Sequence, residues 1–83
     1  MTDPRNIPQI LYIEDSDEAR SLVRRLLSHK YVVLEAIDPL NGLQLAEETQ
    51  PSLILVDYSL PHMTGNEAAT RLKKMLPDTP IVI

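Results

Sequence analysis

Cysteine is absent from this 83-residue chain, and so are tryptophan and phenylalanine. Without cysteine there is no disulfide frame and no thiolate zinc site, so the fold rests on packing alone. A basic excess is missing too. Eight Lys and Arg stand against twelve Asp and Glu, for a net charge of −4. An acidic chain with no basic stripe is a poor holder of nucleic acid. No apolar run approaches the ~20 residues of a membrane-crossing helix. The first residues, Met1-Thr2-Asp3-Pro4-Arg5-Asn6, carry an acid and a proline and no apolar stretch. They do not read as a secretory signal, which makes the cytoplasm the expected compartment. What is present is ordinary for a globular domain: 43% hydrophobic and 24% charged residues, too apolar for a disordered tail. The length suits one small domain that buries about 60–65% of its unfolded surface.

Residues 1–9 read as a polar lead-in, and residues 10–83 as a domain without repeats or low-complexity segments. Ile10-Leu11-Tyr12-Ile13 is a compact strand. Asp15 and Glu18 then stand at capping-box spacing before a helix. Ala19, Leu22, Val23, Leu26 and Leu27 form its apolar face, with Arg20, Arg24 and Arg25 on the other side as a solvated face. Tyr31 to Ala36 is a second strand that contains Glu35. Asp38-Pro39 opens a weaker helix with Leu43 and Ala46 on its stripe. Leu53-Ile54-Leu55-Val56 is a third strand and ends on Asp57. Thr64 and Glu67 cap a third helix carrying Ala68, Leu72 and Met75 inward, and Ile81-Val82-Ile83 begins a fourth strand after a Pro77 to Pro80 stop.

Alternating strands and helices imply an α/β fold with a parallel sheet. The first, third and fourth strands are unbroken apolar runs, as strands buried on both faces are. The charged second strand suits an edge. Right-handed crossovers then give a doubly wound sheet of order 2-1-3-4, whose switch point lies between strands 1 and 3. Ligands of open α/β sheets bind there, outside the carboxyl ends of the strands.

Acids stand at that point. Glu14-Asp15 follows strand 1 and Asp57 follows strand 3. Neighbouring strands lie about 4.8 Å apart, so these carboxylates converge. Helix capping alone accounts for Glu14 and Asp15 in isolation. It does not account for Asp57, an acid abutting a buried apolar strand. Clustered carboxylates repel each other unless a cation sits among them, and all-oxygen donors suit a hard ion, Mg²⁺ in particular. The residues therefore read as a divalent-ion site that meets a phosphoryl group, with a carboxylate beside the ion as a candidate nucleophile.

Ile10-Leu11-Tyr12-Ile13-Glu14-Asp15, taken with Leu53-Ile54-Leu55-Val56-Asp57-Tyr58-Ser59-Leu60-Pro61-His62-Met63-Thr64-Gly65, resembles the receiver domain of two-component response regulators. The resemblance runs from about Ile10 to Ile83, and the D-x-x-L-P-x-M-x-G stretch with its acid pair is its specific part. It implies a flavodoxin-like sheet and a phosphoacceptor role in a phosphorelay. Asp57 matches the residue that takes a phosphoryl group from a histidine kinase or histidine phosphotransfer protein. Asp15 matches the principal Mg²⁺ ligand, and Glu14 its partner acting through water. Ser59 matches the position that lends a backbone carbonyl to the ion. Pro61 and Gly65 match the loop into the third helix, where glycine would supply unusual backbone angles.

The chain also departs from the family pattern. Receivers usually continue through a fourth helix, a fifth strand and a fifth helix, with a Thr or Ser after strand 4 and a Lys after strand 5 completing the site. This sequence ends before either, and Lys30, Lys73 and Lys74 lie away from the carboxyl ends of the strands. The second expectation is therefore a truncated receiver acting as a non-phosphorylated dimerisation or interaction module. A turnover enzyme is not expected. Phosphohydrolases that use an aspartyl phosphate typically carry a second acid two residues after the nucleophile, and Ser59 stands there. His29 and His62 lack partners at metal spacing, and Tyr12 and Tyr58 read as packing residues.

The truncation leaves the apolar fourth strand as an open edge, a template for another chain. The sequence thus predicts either a fragment of a longer protein or a chain that associates through strand 4. Light scattering across a concentration series should show mass rising with concentration; a clean monomer at the highest concentration counts against association.

Overall fold

A computed structural model describes residues 7–57 and 63–83. Its strands are β1 (Gln9–Ile13), β2 (Val32–Ala36), β3 (Leu53–Val56) and β4 (Ile81–Val82), and its helices α1 (Asp17–Leu27), α2 (Pro39–Thr49) and α3 (Gly65–Met75). The strands form one parallel sheet of order β2-β1-β3-β4. The expected α/β fold, strand order and edge position of β2 all hold.

Each helix starts where a side chain accepts a hydrogen bond from a free backbone N–H of the first turn. Asp38 accepts from Asn41 N–H at 2.8 Å, and Thr64 from Glu67 N–H at 3.2 Å, as their spacing predicts. At α1 the cap differs from expectation. Ser16, not Asp15, accepts from Ala19 N–H at 3.2 Å. A hydroxyl one residue later performs the same task, and the Asp15 carboxylate is left out of the cap. Gly65 also differs: it is the buried first residue of α3, and neither glycine has a positive φ. The one left-handed residue among those described is Gln50, which ends α2 at φ 47°.

The core lies on the α2–α3 face of the sheet. Leu11, Ile13, Ile54 and Val56 alternate inward and meet Ala46 of α2 with Ala68 and Leu72 of α3. Leu11, Ile13, Ile54 and Leu72 are fully buried, each contributing about 1.5–3 kcal/mol. The opposite face carries α1 alone, and there the helix sits differently from its apolar pattern. Arg20 is buried, with Val23 and Leu27 half-buried, while Leu22 and Leu26 are 50% and 65% exposed. The expected solvated arginine face is thus corrected at Arg20. Its guanidinium has partners on β2 and on the loop after β1, and Leu22 and Leu26 lie on the outward side of the same helix. β4 pairs with β3 alone among the described strands, and Val82 and Ile83 are more than half exposed.

α2 approaches β1 closely at Gly42. A methyl group there would meet the Ile13 side chain at Cδ1 and, at 2.7 Å, at Cγ1. Ile13 is fully buried and has nowhere to swing. Gly42→Ala gains about 1 kcal/mol in helix propensity and loses about 1–3 kcal/mol to overpacking. Urea unfolding should therefore show a net loss of roughly 1 kcal/mol; a raised midpoint would mean that Ile13 gives way.

Candidate metal centre

The sheet positions the site through its hydrogen-bond ladder. Ile13 pairs with Val56 across β1 and β3. The ladder continues one residue beyond each strand: Asp57 N–H donates to Ile13 O at 3.0 Å, and Glu14 N–H to Ala36 O at 2.9 Å. The backbones of two acids are therefore fixed by neighbouring strands. Carboxylate oxygens of Glu14, Asp15 and Asp57 all lie within 4.8 Å of one another. Three of the four residues expected at the metal converge; Ser59 lies outside the described residues, as do Tyr58, Pro61 and His62.

The three acids differ in surroundings. Asp15 is exposed, Asp57 half-buried and Glu14 buried. The Glu14 carboxylate accepts from Ser16 N–H at 3.1 Å and from the Tyr12 hydroxyl at 3.3 Å. Tyr12 is thus more than the packing residue its sequence position implies. Burial pushes the Glu14 carboxyl above the usual carboxylate range. The neighbouring Asp15 carboxyl and the charge of Asp57 push the same way, against the Ser16 and Tyr12 hydrogen bonds. Tyr12 is raised as well, first by burial and then by the negative charge of Glu14.

These donors fit a hard divalent cation. All three side-chain donors are oxygens, and among the described residues no nitrogen or sulfur ligand belongs to the cluster. Carboxylate oxygens grouped within 4.8 Å of one another are the donor type and grouping that a hard divalent cation such as Mg²⁺ takes. An open groove of about 390 Å³ leads from Glu14 and Asp57 along the α1 face, over Tyr12 and Leu55 to Val82.

Comparison with known proteins agrees with this geometry. Residues 10–83 match the family model for the response regulator receiver domain. The chain is 37% identical over 81 residues to a protein-glutamate methylesterase/protein-glutamine glutaminase of Maricaulis maris, covering 94% of this chain and 20% of that protein. It is 38% identical over 65 residues to histidine kinase P4 of Formosa agariphila, covering 78% of this chain and 5% of that protein. Among solved structures, the receiver domain of the hybrid histidine kinase CckA superposes with a TM-score of 0.80 at 34% identity, covering 88% of this chain and 70% of that one. Chemotaxis protein CheY4 of Vibrio cholerae superposes with a TM-score of 0.83 at 28% identity, covering 90% and 65%. The chain belongs to the response regulator receiver domain family of two-component signalling, whose members generally bind Mg²⁺. It spans only a small part of the curated relatives named above.

One residue tied to the site escapes a sequence reading. Arg20 donates from Nη1 to the Glu14 carbonyl at 2.7 Å, and the bond is buried. The available signal was Glu35, a lone acid inside a strand, which needs a cation from whichever helix covers it.

Glu14 also fixes a pH dependence. Its raised folded-state pKa means that the unfolded chain releases this proton first as pH rises. From the ordinary glutamate value of about 4.3 upward, the folded state holds more protons, so this group's contribution to stability falls as pH rises until its folded pKa is passed. Glu14→Gln should therefore raise Tm at pH 7 in chelator-treated buffer, with the gain shrinking as pH falls through the raised folded pKa and gone once pH is below the ordinary value of about 4.3. Thermal unfolding followed by circular dichroism at several pH values checks this; a gain independent of pH would point away from the carboxyl charge.

Proposed function

We propose that the chain is a phosphoacceptor module of a cytoplasmic phosphorelay, taking a phosphoryl group on Asp57 from a histidine kinase or histidine phosphotransfer protein. The observation that carries this reading is the meeting of Glu14, Asp15 and Asp57 within 4.8 Å at the ends of adjacent strands. Asp15 and Asp57 would hold Mg²⁺ directly and Glu14 through water, with the Ser59 carbonyl as the family resemblance implies. When bound, the ion supplies positive charge that offsets the acids and the incoming phosphoryl oxygens.

The chain's own residues do the rest. Asp57 attacks through a carboxylate oxygen: an O–P bond forms, the N–P bond of a phosphohistidine breaks, and the imidazole leaves with the bonding pair and takes up a proton. The ladder bond from Asp57 N–H to Ile13 O fixes the main chain from which that carboxylate projects. Ser16 and Tyr12 hold Glu14 at the rim, turned toward the cluster. In this reading the module is an acceptor phosphorylated at Asp57 and not a turnover enzyme.

The second reading is an interaction module that works without phosphorylation. It is favoured by β4, which pairs with β3 alone among the described strands and has grooves on both sheet faces, one lined by Val82 and Leu55 and the other by Ile81 and Thr70. A second copy pairing along β4 is its simplest form.

Intact mass after incubation with Mg²⁺ and phosphoramidate separates the two. The first reading expects one added phosphoryl group on wild type and none on Asp57→Asn. Folded protein that gains no mass, and whose self-association is indifferent to Mg²⁺ and to Asp57→Asn, supports the second.

A further inference from the structure

Among the described residues two charged side chains are buried, Glu14 and Arg20, and they meet at the same loop. Arg20 lies on the second turn of α1. Its Nη1 donates to the backbone carbonyl of Glu14, Nη2 pairs with Asp17, and Nε lies 3.4 Å from Glu35 on β2. Glu35 also accepts from Arg24 at 2.9 Å. We infer that Arg20 is a positioning residue for the acid pair, its guanidinium anchored by Glu35 and fixing the peptide from which Asp15 projects. This inference rests on the Mg²⁺-binding reading of the preceding section.

The argument is geometric. The peptide between Glu14 and Asp15 is planar, so holding its oxygen fixes both ψ of Glu14 and φ of Asp15. Those two angles set the direction of the Asp15 side chain. Other contacts hold the flanks: Glu14 N–H bonds to Ala36, and Ser16 N–H bonds to the Glu14 carboxylate. Among the described residues, Arg20 grips the peptide joining the two acids. The bond is short, charge-assisted and shielded from water, which makes it stiffer than a neutral surface contact.

The charge placement fits the same role. Arg20 spends its carboxylate-binding capacity on Asp17 and Glu35 and reaches the acid pair through a carbonyl. The Asp15 carboxylate stays available to an ion. The fork of the guanidinium is required, because one group must serve a carbonyl and two carboxylates from different elements. A lysine ammonium is a point charge and cannot span them.

The test compares Mg²⁺ affinity by calorimetry with Tm by circular dichroism, for wild type, Arg20→Lys, Arg20→Met and Arg24→Met. Arg24→Met removes a Glu35 partner of the same helix without touching Glu14. It should lower Tm and leave the Mg²⁺ Kd within about twofold. Both Arg20 variants should weaken Mg²⁺ binding by roughly 10–100-fold at temperatures where they are folded, the usual size for residues that support a ligand. Should Arg20→Met not fold, Arg20→Lys, which keeps the charge and the stem, decides. Arg20 variants that bind Mg²⁺ like wild type overturn the inference, as does an Arg24→Met loss of equal size. A wild-type chain that does not bind Mg²⁺ overturns the metal reading itself and the positioning role with it.

Discussion

The parallel pairing of β1 with β3 is the constraint on which the rest depends. Because Ile13 stands opposite Val56, the residues just beyond them are acids one strand spacing apart. Their closeness follows from the backbone ladder and not from any attraction between them. The carboxylates repel, and packing must hold them together. That packing is the Leu11, Ile13, Ile54 and Val56 layer beneath, locked by α2 and α3. The close approach of α2 at Gly42 presses on Ile13, the residue just before the acid pair. Core and site are thus one mechanical unit.

The two faces of the sheet are held by different physics. The α2–α3 face is sealed by apolar contact. The α1 face is held in large part by charge: Arg20 and Arg24 meet Glu35, and Arg20 reaches the loop after β1. A buried guanidinium is costly unless all its partners are in place, so it fixes how the helix sits. The same face carries an exposed leucine pair on α1 and a groove running to β4. The solved receivers to which the chain is similar are longer: it covers 65% of the Vibrio cholerae protein and 70% of the CckA domain.

The acids likewise divide tasks by environment. Glu14 is buried and satisfied by a hydroxyl and an amide, and its carboxyl is pushed upward by burial. Asp15 is exposed beside it, freed from capping because Ser16 takes that part. Adjacent residues in one loop therefore meet very different dielectric surroundings, which lets one serve as rim and the other as ligand.

Much of this was legible in the sequence. Apolar runs of four residues located β1 and β3, cap residues located the helix starts to within a position or two, and acids after these two central strands located the site. These signals are local, carried by side-chain period and by short-range hydrogen bonding, so one chain displays them without its partners. The orientation of α1 was not legible. Its leucines repeat at helical spacing, and pattern alone turns that stripe inward. Only the assembled sheet brings Glu35 beneath the helix and the Glu14 carbonyl beside it. Together they bury Arg20, because a guanidinium taken from water needs partners, and these two come from separate elements. The sequence determined which residues form the elements and where the acids fall; the tertiary structure decided which charged groups are buried, since burial depends on contacts between residues far apart in the chain.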